Sequence, residues 1–162
     1  MRQRRYGIGP ANPELKRFAG TFREIVFVFK TKIQKMNSLN RPALIVAALA
    51  GVPAALFFDL TDITGYRREQ LAEVFDTSLK TFQRYDREKR TLTPQDGERL
   101  LKMKALFEHG TDVFDSVESF RRWLDKPAYG LDNQVPFLLL HTSGGMDLIQ
   151  DELIRIEYGD LA

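Results

Sequence analysis

A stripe of cationic and amide side chains is predicted on one short helix in the middle of the chain. Its members recur at offsets of 0, 3, 4 and 7 residues, the spacing that brings side chains onto one helix face. Arginine and glutamine can bind guanine and adenine edges through paired hydrogen bonds, so this face could enter a major groove; the alternative is an ordinary solvated basic face. Two later cations suit phosphate contacts. The stripe is Lys80, Gln83, Arg84 and Arg87, flanked by Thr81, and the later cations are Lys89 and Arg90.

A second group of polar residues lies near the end of the chain, in the sequence HTSGG at 141–145. A nucleophilic Ser143 would need a base and an orienting group, and His141 is expected on a turn, so we predict no catalytic site. Instead, Thr142 or Ser143 is expected to cap the last helix. Gly144 and Gly145 are expected to let its backbone approach a neighbouring element closely.

The last helix and the tail that follows carry several carboxylates that could contact a basic partner surface. The alternative is a solvated acidic face. The terminal segment 158–162 could extend into a cleft of such a partner. The candidate partner-binding residues are Asp147, Asp151, Glu152, Arg155, Glu157, Tyr158, Gly159, Asp160, Leu161 and Ala162.

Charge is distributed unevenly along the 162 residues, although the net charge is only +2. Residues 1–35 carry +7, 36–66 carry −1, 67–104 carry +3 and 105–162 carry −7. The basic parts suit nucleic acid, and the acidic end suits a different, basic partner. The chain has no cysteine and its two histidines lie far apart, so we expect no metal site, no cofactor and a cytoplasmic location.

The elements that must position these residues are predicted to be helices. Residues 1–42 form a variable basic arm, whose segment 14–36 fits either a helix or a strand. The apolar run 43–58 is too short to span a membrane and is interrupted at Gly51-Val52-Pro53, so it predicts two buried elements meeting at a turn. Pro53 is expected in the first turn of a helix that ends near Gly65.

Two short helices with a brief turn between them then predict a helix-turn-helix. They span about 68–75 and 78–88, with Asp76-Thr77 as the turn. Thr93-Pro94 begins a long helix, and Asp115 with Glu118 is expected to form the capping box of the next one. The expected core residues are Leu56, Leu60, Ile63, Leu71, Val74, Phe75, Leu79, Phe82, Leu100, Met103, Phe107, Gly110, Phe114, Val117, Phe120, Trp123, Leu124, Met146, Ile149, Leu153 and Ile156.

An ordered set of edge residues in positions 50–162 resembles the Xre/MbcA/ParS antitoxin family of bacterial toxin–antitoxin modules. The set begins at Gly51-Val52-Pro53 and continues through the helix-turn-helix. Asp132-Asn133 stands where relatives commonly have a Gly pair, and Asn tolerates the positive φ that such a turn needs. The matched residues are Leu92, Pro94, Arg99, Leu100, Phe114, Arg122, Trp123, Leu124, Pro127, Leu131, Pro136, Leu139, Thr142, Gly144 and Ile156 to Gly159.

This resemblance implies an all-α protein, not an enzyme, with an Xre-like helix-turn-helix domain at 43–104 and a small helical toxin-binding domain at 105–162. It implies a cognate RES-domain toxin, which consumes NAD or transfers ADP-ribose and whose active site the antitoxin occludes. Operator DNA is the second expected partner, bound by a homodimer because helix-turn-helix proteins usually read paired half-sites. The alternative is a stand-alone transcriptional regulator with a C-terminal protein-interaction domain.

Overall fold

The computed structural model describes residues 41–159. The predicted arm up to residue 40 and the candidate contacts Asp160, Leu161 and Ala162 lie outside this range. Residues 41–159 form eight α-helices, a 3-10 turn at Tyr129–Leu131 and two isolated β-bridges, so the all-α prediction is confirmed. The helices are α1 Arg41–Ala50, α2 Leu56–Thr64, α3 Arg68–Val74, α4 Leu79–Arg87, α5 Pro94–Phe114, α6 Val117–Leu124, α7 Pro136–Leu139 and α8 Ser143–Glu157.

Helix α5 is the central element around which the other helices pack. It contacts α1, α2, α6 and α8. Buried side chains on several of its faces, among them Leu100, Leu101 and Phe107, belong to one cluster that extends from Phe57 in α2 to Ile149 in α8. The expected domain boundary between residues 104 and 105 falls inside this helix. Residues on both sides of that boundary therefore share one hydrophobic core.

Most helix ends lie where the sequence predicts them, because local capping chemistry determines them. Thr93 accepts a hydrogen bond from the amide of Asp96, and Thr142 accepts one from the amide of Gly145. The capping box of Asp115 and Glu118 was wrong. Ser116 caps α6, and Asp115 has a φ of 62° at the end of α5.

Pro53 departs from its predicted position in the first turn of α2, which begins only at Leu56. Pro53 instead forms an antiparallel bridge with Thr91, and its carbonyl accepts a turn hydrogen bond from the amide of Leu56 at 3.1 Å. The amide of Ala54 donates to the carbonyl of Arg90 at 3.0 Å, and the amide of Leu92 donates to the carbonyl of Val52 at 2.8 Å. These long-range hydrogen bonds satisfy the amide of Ala54 and the carbonyl of Val52, which therefore do not need a helical partner.

The apolar run 43–58 is buried only in part, contrary to the expectation of two buried elements. In α1, Leu44 and Ala48 face the core, whereas Ile45, Val46 and Leu49 are 45%, 66% and 69% exposed. These three residues form one continuous helix face, which we call the α1 apolar face. It is a large surface to leave open to water, and such surfaces usually bind another protein segment.

Candidate DNA-binding and partner-binding surfaces

The predicted helix-turn-helix is present as α3, a tight turn and α4. The turn is closed by two hydrogen bonds to the carbonyl groups of α3, from Asp76 to Glu73 and from Thr77 to Ala72. Asp76 adopts a φ of 55° there. Ser78 then accepts a hydrogen bond from the amide of Thr81, which starts α4 immediately after the turn.

Helix α4 is anchored to the core through Phe82. Its ring stacks on Phe57 with 3.7 Å between the centroids and meets Phe75 edge-on at 5.8 Å. Leu79 packs beside this cluster, so the inner side of the helix is apolar as predicted. The opposite side is therefore turned toward solvent.

That outer side presents the predicted stripe. Lys80, Gln83, Arg84 and Arg87 are all exposed. The guanidinium of Arg84 lies 5.4 Å from the ring centroid of Tyr85, and it makes no ion pair to a residue within 41–159. The four side chains of the stripe could therefore contact base edges in a major groove without first breaking a buried contact.

The three flanking residues differ from the stripe. Thr81 is half-buried, and its hydroxyl lies 3.1 Å from that of Ser78, so it supports the helix start. Lys89 pairs with Asp86 at 3.7 Å, and Arg90 pairs with Glu88 at 3.6 Å. Both pairs are exposed and hence weak, so phosphate groups could replace the carboxylates as partners of these cations.

At the start of α8, the polar residues of the segment 141–145 form a helix cap and join a cluster centred on a lysine of α5. The Nζ of Lys102 on α5 lies 2.6 Å from the Ser143 hydroxyl and 2.9 Å from the Asp147 carboxylate. Ser143 in turn donates to Glu98 at 2.9 Å. Ser143 thus joins α8 to α5. Asp147 is half-buried and already bonded to Lys102.

The two glycines of this segment differ in their surroundings. A Cβ on Gly145 would overlap the carbonyl oxygen of Leu139, so the predicted close approach is confirmed there. A Cβ on Gly144 would meet nothing within 4 Å, so the close approach predicted for Gly144 was wrong.

The turn before α7 has the backbone conformation that the sequence analysis expected. Asn133 has a φ of 58°, and the preceding Asp132 has a φ of 53°.

Two more of the candidate carboxylates are engaged with neighbouring elements. Glu152 is only 5% exposed and lies 2.6 Å from the guanidinium of Arg155, which also donates to the carbonyl of Gly130 at 3.1 Å. Glu157 lies 3.0 Å from Nε2 of His109. Because Glu152 is buried, it does not offer its carboxylate to a partner in this conformation.

The remaining candidates of α8 face solvent. Asp151, Arg155, Tyr158 and Gly159 are exposed. Tyr129, which the sequence analysis did not select, is 84% exposed and precedes Gly130, whose carbonyl accepts the hydrogen bond from Arg155. No periodic signal marks Tyr129, because it lies in a 3-10 turn, and only the position of that turn against α8 reveals it.

Two arginines, also not selected as site residues, join the N-terminal helices to the C-terminal helices. Arg99 is buried, and its Nη2 donates to the carbonyl groups of Val74 and His141. Arg121 of α6 donates to the carbonyl of Gly65 at 2.8 Å and lies 4.3 Å from the ring centroid of Tyr66. Burial, together with the charge of nearby Asp125, raises the pKa of Tyr66 to about 12.

Within residues 41–159 there is no group of three His, Asp or Glu side chains that could hold a metal ion. No helix of that same segment is long and apolar enough to cross a membrane.

Two protein-family models match the chain. Residues 43–103 match the antitoxin Xre-like helix-turn-helix domain, and residues 109–159 match the antitoxin Xre/MbcA/ParS C-terminal toxin-binding domain. No curated protein gives a significant match. The two domains follow each other in this order and together cover more than two thirds of the sequence, so the chain belongs to the Xre/MbcA/ParS antitoxin family.

Proposed function

We propose that this antitoxin neutralises a RES-domain toxin by covering its active site, and that it represses its own operon by binding operator DNA. It acts in the cytoplasm by binding alone, without catalysis or a cofactor. Residues 43–104 supply DNA binding, and 105–162 supply toxin binding. The observation that carries the proposal is the presence of both matched domains on one chain.

The DNA-binding half of the proposal is supported by the geometry of α4. This helix follows the helix-turn-helix turn, is held by Phe82 and exposes the stripe of Lys80, Gln83, Arg84 and Arg87. In helix-turn-helix proteins the second helix enters the major groove, and its outer side chains contact base edges. We assign base contacts to the stripe and phosphate contacts to Lys89 and Arg90.

A homodimer fits the two-fold symmetry of operators that such domains read. The α1 apolar face, formed by Ile45, Val46 and Leu49, is the surface we assign to the second copy. Isologous contacts of this kind bury the same apolar face of both protomers. Val46→Glu should therefore shift the chain from dimer to monomer in light scattering at micromolar concentration. A variant that stays dimeric would exclude this surface.

We assign toxin binding to the exposed residues Asp151 and Arg155 of α8 and to the segment 158–162 that follows the helix. Asp147 and Glu157 contribute less because Lys102 and His109 already engage them, and Glu152 supports the fold. The net charge of −7 over residues 105–162 suits a basic surface around the cleft of the toxin.

Co-expression tests the antitoxin role directly. The product of the adjacent gene is expressed alone and together with this chain, and growth is compared. We expect arrest in the first case and restored growth in the second. An adjacent product that arrests growth regardless of this chain would refute neutralisation. Binding of the purified chain to its promoter DNA, measured separately, tests autorepression.

A further inference from the structure

The solvent face of α8 carries large side chains that a surface helix ordinarily keeps inside. Leu148, Asp151 and Arg155 recur at offsets of 0, 3 and 7 residues and so share one side of the helix; Tyr158, the residue at its C-terminal cap, continues this spacing at offset 10. Leu148 is 54% exposed and Tyr158 is 76% exposed. This side lies opposite the core stripe of Met146, Ile149 and Leu153, so packing among residues 41–159 does not explain it.

The 3-10 turn adds a second aromatic side chain to this surface. Arg155 donates to the carbonyl of Gly130, which brings the turn against α8. Tyr129, the neighbour of Gly130, is the most exposed large hydrophobic side chain within residues 41–159. Tyr158 lies about one helical turn beyond Arg155. An exposed arginine is therefore accompanied by one exposed tyrosine in the adjacent 3-10 turn and by another at the C-terminal cap of its own helix.

The relative positions of these groups are held by a buried carboxylate. Glu152 lies 2.6 Å from Arg155, and a Cβ on Gly130 would overlap the Glu152 carboxylate, which would then have to move away from the turn. Burying a carboxylate costs free energy, which its pairing with Arg155 offsets only in part. The pair thus orients Arg155 and the turn before any partner arrives, and a preorganised surface loses less entropy on binding.

Acidic side chains border this surface. Asp151 is exposed one turn before Arg155, and Asp132 is exposed just after the 3-10 turn. A partner that fits must therefore offer apolar recesses for the aromatic rings, surrounded by basic side chains.

We propose that Leu148, Arg155 and Tyr158, together with Tyr129, form the surface on which the toxin docks. The proposal rests on the proposed function and adds to it that aromatic and arginine side chains, more than carboxylates, supply the affinity. Tyrosine and arginine dominate binding energy at many protein interfaces because they combine apolar area with hydrogen bonding. All four residues lie within the segment that matches the toxin-binding domain.

The test uses the full chain and the purified product of the adjacent gene, with affinity measured by calorimetry. Tyr129→Ala and Tyr158→Ala should each weaken binding by about 30-fold. Tyr129→Phe keeps the ring and should stay within about 3-fold of the original affinity. Leu138→Ala on α7, which truncates another exposed side chain of the same domain, is the matched control and should have little effect. Promoter affinity should be unchanged in all four variants, which verifies that they fold.

The outcomes separate this surface from the function on which it rests. If the unaltered chain does not bind the toxin, the proposed function fails and the docking surface with it. If the unaltered chain binds but the variant with both tyrosines changed to alanine binds within about 3-fold of it, the surface is wrong while the function stands. A 30-fold loss in Leu138→Ala as well would also overturn this assignment, because the energy would then not be specific to the four residues.

Discussion

Arg99 of α5 donates a hydrogen bond of 2.7 Å to the carbonyl oxygen of His141, just before the cap of α8. The same nitrogen donates to the carbonyl of Val74 at the end of α3 and lies 3.5 Å from the carboxylate of Asp76 in the helix-turn-helix turn. One guanidinium therefore joins the helix-turn-helix to the segment that starts α8. We expect their positions to be mechanically coupled.

Arg99→Ala should destabilise the fold by about 2–3 kcal/mol, because the buried carbonyl of Val74 and the half-buried carbonyl of His141 lose a charged donor. Urea unfolding of the full chain measures this loss. Arg122→Ala is the control, since Arg122 is exposed and, among residues 41–159, bonds only to nearby Ser119, so it should change stability by less than about 0.5 kcal/mol. Equal effects of the two substitutions would mean that Arg99 does not join the two parts energetically.

Neighbouring glycines at the start of α8 should respond in opposite ways to alanine. Gly145→Ala should destabilise by about 1–3 kcal/mol, because the new Cβ overlaps the carbonyl oxygen of Leu139 and the backbone must shift. Gly144→Ala has open space and should be neutral or stabilising by up to about 1 kcal/mol, because alanine favours the helix. Thermal unfolding of both variants compares them, and an inverted order would contradict the close packing of α7 against α8.

Alkaline pH should weaken the fold through Tyr66. Burial raises its pKa to about 12 from an ordinary value of 10.0, so the phenol is protonated in both states below pH 10 and its contribution to stability is fully present there. As pH rises from 10 to 12, unfolding releases this proton and stability falls by up to about 2–3 kcal/mol. Urea unfolding from pH 9 to 12 measures the decline.

Tyr66→Phe supplies the control for this alkaline decline, because phenylalanine keeps the ring and cannot ionise. The difference in unfolding free energy between the two proteins should be constant below pH 10 and should then shift in favour of Tyr66→Phe. A constant difference across the whole range would show that Tyr66 ionises as easily in the folded protein as in the unfolded chain.

Arg84→Ala and Arg87→Ala should each weaken promoter binding by about 1–3 kcal/mol if the side chain contacts a base. Toxin neutralisation should remain, because both residues lie on the outer side of α4. Fluorescence anisotropy with labelled promoter DNA measures the affinity, and Arg122→Ala again serves as the charge control. Unchanged promoter affinity in both α4 variants would show that another surface binds the DNA.

Local chemistry allowed much of the fold to be predicted. Helix periods, the caps at Thr93 and Thr142, and the turn at Asp76 depend on residues within a few positions of each other, so the sequence contains the necessary information. The exposed stripe of α4 follows from the same periodicity. The capping box at Asp115 failed because Ser116, one residue later, competes for the same role, and local pattern alone does not choose between them.

The sequence by itself thus determined an all-helical chain, its helix-turn-helix and the face that α4 presents. Only the tertiary structure decided which polar residues remain available for a partner, because burial and pairing depend on elements far apart in the chain. Glu152 and Arg155 are both charged residues of α8, yet the turn at Gly130 buries one of them and leaves the other exposed beside Tyr129. Pro53 likewise leaves the helix start because its partner, Thr91, lies nearly forty residues away in the sequence.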